Sequence, residues 1–354
     1  MIRINMNYCF NRNFNFLIKK IIFLFFLSFR LFVYSQEESL SSSSSYFETM
    51  RNKINLKFEF DNDLETFEFD NDAFSYSIKP NTDLRMSVAV NHKFLNLKIG
   101  FSPNFLKGDP TLKGSTEVFK ISFDFFFLKN WIQTFEVSNV KGYYIKNITD
   151  YENLDNIQNN DYILLPNMQT KIFRGITRYN FNKDFSIKAM LNQSEIQRKN
   201  AGSFIPSYTY EYFKLTESDS LYKLESVNFI LNAGYFYTFV FDKKLYVNIG
   251  ADPGIGLGFN KLRTEQEKDK ESEWSSDFIF DMRGFIDLGF NSRFFFGGIS
   301  FSGIGTTRSD TSVIKFDSIR SVFKVFIGYR FKAPKFVNKS FDWIEDVNPL
   351  NGKE

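Results

Sequence analysis

The sequence predicts an all-β fold, an antiparallel up-and-down transmembrane β-barrel of about twelve strands (roughly 10–14). Three observations predict it. An export-type N-terminus leads into a body without helical periodicity. Alternation with a period of two recurs through that body, which marks strands with unlike faces. Short turns and long polar connections then follow one another in strict alternation along the chain.

The N-terminus comes first. Lys19 and Lys20 precede the apolar run "IIFLFFLSFRLFVYS", and Ser35 stands before Gln36 with Val33 two positions upstream. This is the charged region, short apolar region and small-residue cleavage site of a secretory signal, so residues 1–35 read as a signal peptide cut near Ser35. Arg30 interrupts the run, which leaves too few apolar residues for a span of ~20. Cleavage removes Arg3, Arg12, Lys19, Lys20 and Arg30 and takes the formal net charge from +3 to −2. The basicity therefore belongs to the targeting peptide, and nucleic acid is not an expected partner. Cys9, the single cysteine, leaves as well, and disulfides, thiol nucleophiles and cysteine metal sites leave with it. The stretch "ESLSSSSSYFE" makes 36–52 a flexible serine-rich lead.

Phenylalanine reaches 47 residues, yet charged residues make up 24% and mean hydropathy is only −0.27. A helical membrane protein does not look like this, whereas a barrel with alternating lipid-facing and lumen-facing positions does. Strands are expected at 53–60, 84–92, 95–102, 116–127, 131–145, 168–181, 184–198, 226–241, 245–259, 277–290, 294–303 and 320–331. "HKFLN", "FLKNW", "FNKDF", "FDKKL" and "FNSRF" join them as tight turns. The links 61–83, 103–115, 146–167, 199–225, 260–276 and 304–319 are long and polar. Outer-membrane barrels have short periplasmic turns and long extracellular loops, and an even strand number puts both ends in the periplasm. Phe127 and Trp131, Phe181 and Phe185, Phe241 and Leu245, and Phe290 and Phe294 flank the turns as an interfacial girdle. The barrel then occupies 53–331, its last strand "SVFKVFIGYRF" pairing back on the first, and 332–354 is a periplasmic tail.

Side-chain parity assigns the faces. Val227, Phe229, Leu231, Tyr235 and Phe239 form one outward row, and Phe278, Phe280, Met282 and Ile286 another. A charge facing lipid costs about 2–4 kcal/mol at the midplane, so charged positions point inward. The inward set is Lys57, Glu59, Arg85, Lys98, Lys120, Asp124, Glu136, Arg174, Arg178, Lys188, Asp252, Asp281, Arg283, Asp287, Lys324 and Arg330. Mixed signs at these positions are expected either to interlock as salt bridges or to line a narrow pore.

The segments "YSIKPN" (76–81), "KGYYIKN" (141–147), "FSIKAMLNQSEIQRKNAGSF" (185–204) and "GYRF" (328–331) resemble the domain-of-unknown-function 4421 family of outer-membrane barrels. The resemblance spans roughly 54–331 and implies the fold and the place, but no activity.

Chemistry is sparse. His92 is the only histidine, so multi-histidine metal sites are excluded and no metal or cofactor is expected. A lipid hydrolase centred on His92 is the enzymatic alternative, but its parity points it out of the lumen beside a short turn. The glycines of "GADPGIGLGF" (250–259) sit within a strand, where a dinucleotide loop would need a following helix. The acidic "EFDNDLETFEFDNDAF" (59–74) reads as a solvated loop and "RTEQEKDKESEW" (263–274) as an exposed one. The leading expectation is a structural or small-solute channel barrel without enzyme activity, in the bacterial outer membrane. Its expected partners are membrane lipids, the barrel-assembly machinery and an unidentified small solute or surface ligand. A third reading is a surface-binding barrel acting through its long loops, 199–225 in particular.

Overall fold

The computed structural model describes residues 46–64, 66–70, 75–82, 84–128, 130–146, 162–217, 222–264, 274–309 and 315–347. The signal-peptide reading of 1–35 lies outside them, as do the serine run of the lead, most of the 146–167 link and the centre of "RTEQEKDKESEW".

A short strand β1 (Phe47–Thr49) precedes the first wall strand, β2 (Lys53–Asp61). A small hairpin, β3 (Phe67–Asp70) and β4 (Ser75–Pro80), comes next. The wall continues with β5 (Arg85–His92), β6 (Leu95–Phe101), β7 (Glu117–Leu128), β8 (Trp131–Lys146) and β9 (Ile163–Tyr179). After a short β10 (Glu195–Gln197) come β11 (Ala201–Thr216), β12 (Tyr222–Phe241), β13 (Leu245–Thr264), β14 (Ser275–Asn291), β15 (Phe295–Ser309) and β16 (Lys315–Lys332). Every wall strand pairs antiparallel with its neighbours. β16 closes the ring on β2, from Lys324↔Asp61 to Lys332↔Lys53. The result is a closed 12-strand antiparallel barrel, and "SVFKVFIGYRF" is its closing strand.

The outer face carries the apolar row that parity predicts. Leu231, Tyr235, Ile249, Phe278, Met282 and Ile327 are all exposed, each more than 45%. In water such a belt would drive aggregation, whereas in a bilayer it is the lipid-facing surface. Aromatics cluster at the short-turn end. Trp131 lies 4.9 Å from Tyr179, Tyr179 lies 4.8 Å from Phe181, and Phe295 lies 4.9 Å from Tyr329. The glycine-rich segment 250–259 runs within β13 and pairs throughout with β14.

The wall is uneven in height. β12 and β13 have 20 residues each, about 65 Å of chain at ~3.4 Å per residue, while β5 and β6 have 8 and 7. The hairpin β3–β4 fills the resulting notch: β3 pairs with Lys315–Asp317 of β16, and β4 pairs with the end of β8. The link 61–83 is thus partly sheet, not only loop. Gly142 makes this junction possible at φ 88°, in the left-handed region. A Cβ there would lie 2.0 Å from the Ser115 carbonyl oxygen. The bulge at this glycine shifts register between Lys141 and Tyr143, so Val140 and Tyr143 both face inward.

The segment 184–198 departs from the alternation reading. It is not a wall strand: "FNKDF" does turn tightly, the Phe185 N–H donating to the Asn182 carbonyl, but it leads into a helix. Helix α2 (Ile187–Leu191) follows α1 (Pro110–Lys113) in chain order, and β10 follows α2. The seventh wall strand is β11, which together with β12 takes up most of the expected loop 199–225. Pro206 sits inside β11 where pairing with β9 stops at Ser207↔Arg178, so its missing N–H is tolerated. A third helix, α3 (Lys335–Val347), follows β16.

Candidate functional site: a filled lumen

Three layers occupy the interior. On the extracellular side, inward Val118, Val140, Met168, Ile172, Phe213 and Leu215 close on Leu64, Phe67, Ile78 and Tyr143. The β3–β4 hairpin supplies Phe67 and Ile78, so the element that fills the notch also contributes the apolar cap.

Below the cap runs a belt of paired charges. Arg85 meets Asp61 at 2.7 Å and Asp63 at 3.6 Å. Asp63 also meets Lys120, 3.3 Å away, and Lys120 meets Glu136 at 3.0 Å. Glu136 meets Arg174 at 3.1 Å, and Arg174 reaches Glu211 at 2.6 Å. Asn228 donates to Glu211 and accepts from Arg308, which lies 3.5 Å from Asp277. The contacts follow the circumference from Asp61 on β2 round to Arg308 on β15. A second group joins Lys57 to Glu59 at 2.7 Å and Lys98 to the same carboxylate at 3.5 Å. Asp281 accepts from Arg283, Asn232 and Thr306. Asp124 accepts from Asn96 and from Thr134, whose hydroxyl also accepts from Arg178. Asn248 donates to Asp287 at 3.4 Å. Asp252 is buried with Oδ1 unpaired, and Lys324, cross-strand from Asp61, is half-buried outside these contacts.

Alternation found most of the basic partners and missed acids that complete the belt. Asp61 and Asp63 belong to the acidic stretch 59–74, which folds partly inward and is not simply a solvated loop. Glu211 lies in the region read as a loop, where the alternation of Ser207, Thr209 and Glu211 against Tyr208, Tyr210 and Tyr212 was the available signal.

The third layer is a plug in the periplasmic mouth. Ser186 caps α2 by accepting from the Ala189 N–H, which fixes the start of a five-residue helix. Phe185, Ile187 and Met190 pack against inward Phe126, Ile132, Ile205 and Phe236 of the wall. Lys188 therefore sits on the plug and not on a wall strand, 4.0 Å from Glu195 and above the Phe126 ring. Burial pushes its ammonium below the ordinary lysine range, with Glu195 opposing. The space left beside Ala189, Gln197, Thr238, Tyr246 and Asn291 is only about 10 Å³, roughly room for one water.

Polar clamps hold the plug. Arg330, fully buried in the closing strand, donates to the carbonyl oxygens of Gln193 and Ser292 and to Asn291 Oδ1, and covers the Phe296 ring. Asn291 in turn donates to the Glu195 carbonyl, and Lys57 donates to Gln193 Oε1. β1 pairs with β10 from Phe47↔Gln197 to Thr49↔Glu195. Glu48 of β1 binds Arg198 and, at 2.7 Å, Arg293. Burial alone raises the Glu48 carboxyl, but the two guanidiniums outweigh it and hold the group below the usual carboxylate range. The end of the serine-rich lead is therefore a strand that ties the plug to the rim.

His92 lies at the periplasmic end. Its Nδ1 is 3.0 Å from the Lys53 carbonyl oxygen, and Phe341 packs edge-on against the ring. These neighbours supply no hydroxyl nucleophile. On the lipid side, a concavity of about 1050 Å³ is lined by Ala251, Gly284 and Gly303 beside Tyr235, Phe301 and Phe323.

Residues 42–331 match the family described as "Domain of unknown function (DUF4421)". The chain belongs to this family. The match takes in the plug as well as the wall, and the four segments that resemble the family fall at structurally demanding places. "YSIKPN" belongs to the notch hairpin, "KGYYIKN" holds the Gly142 bulge, "FSIKAMLNQSEIQRKNAGSF" is plug leading into β11, and "GYRF" carries Arg330. No curated protein matches the chain. Among solved structures, the chain is similar to the outer membrane protease OmpT from Escherichia coli at 7% identity and TM-score 0.37, over 83% of this chain and 99% of that one. The beta domain of the Bordetella autotransporter BrkA follows at 9% identity and TM-score 0.36, over 80% of this chain and 100% of that one. LpxR from Salmonella typhimurium is similar at 8% identity and TM-score 0.32, over 78% and 99%. The fold assignment rests on the strand pairing itself.

Proposed function

We propose that this family member is a structural barrel of the bacterial outer membrane whose lumen is held shut, not a standing pore. The observation that carries the reading is the plug: residues 185–197 fill the periplasmic mouth and are clamped from the closing strand by Arg330. The charge belt supports it, because alternating signs paired at 2.6–3.6 Å neutralise one another and present no ring of one sign for selecting ions. In this reading Lys57, Glu59, Arg85, Lys120, Glu136 and Arg174 are filling that holds the wall together. Export by cleavage near Ser35, insertion by the barrel-assembly machinery and contact with membrane lipids belong to the same proposal. A hydrolase centred on His92 has no support from the neighbours of that ring. The test is a planar-bilayer recording on protein whose folding is shown by its altered gel mobility before boiling. The inserted wild-type protein carries no unitary current, and discrete, lasting current steps would contradict the proposal.

A further inference from the structure

The tail helix α3 touches the barrel with one face. Phe341 packs 4.8 Å from His92 and 5.2 Å from Phe94, Glu345 binds Arg51 at 2.8 Å, and Lys93 binds both Asp342 and Glu345. These contacts fix the roll of the helix. At ~100° per residue, Phe336, Trp343, Val347 and Ile344 then gather on the side turned away from the barrel. They are exposed to 72, 66, 58 and 40%. Lys335, Lys339 and Asp346 occupy a separate polar edge.

We propose that α3 is an interfacial helix whose aromatic face is seated in the headgroup and upper acyl layer of the periplasmic leaflet. Two features favour lipid as the occupant. His92 shares the outward parity of Met86, Val88 and Val90 of β5, and Phe341 covers it while also meeting Phe94 of the plug cluster, so the helix lies along the lip of the mouth, at the end of a strand whose Val90 is 41% exposed. The helix also starts only four positions after Phe331, an exposed outward aromatic of the belt. Three residues from Lys332 to Lys335 reach at most ~10 Å, so the helix begins at the membrane edge, and the contacts of Phe341 and Glu345 hold its later turns against the rim. The apolar face of α3 is thus continuous with the lipid-facing surface, and an amphipathic helix at that depth buries its apolar side ~5–10 Å into the interface. The inference rests on the membrane-spanning wall and is independent of whether the lumen is sealed.

The chain has three tryptophans, so Trp131→Phe with Trp274→Phe leaves Trp343 as the sole emitter. In vesicles of phosphatidylcholine brominated high on the acyl chain, Trp343 emission loses most of its intensity and resists aqueous iodide. Quenching by iodide without an effect of bromine would overturn the proposal. So would protection from both quenchers, which would mean that protein covers the face. A nitroxide on Val347→Cys, with Cys9→Ser, gives a second reading that leaves the tryptophans in place. Oxygen collisions exceeding those of an aqueous nickel complex support lipid burial, and the reverse order refutes it.

Discussion

Arg330 has no exposed surface and three acceptors, two of them main-chain carbonyls. Arg330→Met keeps much of the volume and the contact with Phe296 but orphans those acceptors. Each unsatisfied buried group costs ~1–3 kcal/mol, so a loss on the order of 3 kcal/mol is expected, read as a lower urea midpoint for loss of the folded gel band. Glu48 gives a pH-dependent counterpart. Its folded pKa is lowered, so its contribution is fully present above the ordinary carboxylate value and disappears as pH falls through the lowered one. Proteolysis of the β1–β10 anchor should therefore rise in acid below the ordinary carboxylate range and not at neutral pH. Glu48→Gln should show that sensitivity at neutral pH and no further acid step from this group.

At the level of elements, alternation reads strands well where one face is strictly apolar, as in β12 and β14, because lipid tolerates no exception there. It fails at 184–198 for a physical reason. Phe185, Ile187, Ala189 and Leu191 alternate as a strand would, yet Gln193, Glu195 and Gln197 continue the same parity while Ile196 takes the other. The pattern breaks where Gln193 takes φ 56° and the chain turns back. A five-residue helix is too short to show helical periodicity, and burial inside a barrel mouth satisfies residues that a wall strand would have to sort between lipid and lumen. Pro206 hid the true strand in the same way, as a residue normally excluded from central ladders. The candidate site was legible in its basic residues, whose inward parity is dictated by lipid. Glu59 and Glu136 were legible in the same way, but three further partners were not: Asp61, Asp63 and Glu211 lie in stretches whose polarity imitates loops.

For the whole molecule, the account requires one face of the wall to see lipid and the other to see packed side chains. Ile249 is exposed on the outer face and pairs across with Ile286 and Tyr237, while adjacent Asn248 bonds inward to Thr238 and Asp287. Ile249→Arg should cost about 2–4 kcal/mol of folding stability in lipid vesicles, measured by urea titration, because a cation is placed near the midplane. The central claim is that residues 185–197 are folded inside the mouth as a plug. Amide hydrogen exchange of the bilayer-reconstituted protein tests it most directly, since the N–H groups of Ser186, Ala189, Met190, Asn192 and Ser194 all have protein acceptors in the plug. The account predicts that 186–197 exchange as slowly as the wall strands that enclose them. Exchange at the rate of an open loop, with the wall still protected, would contradict it.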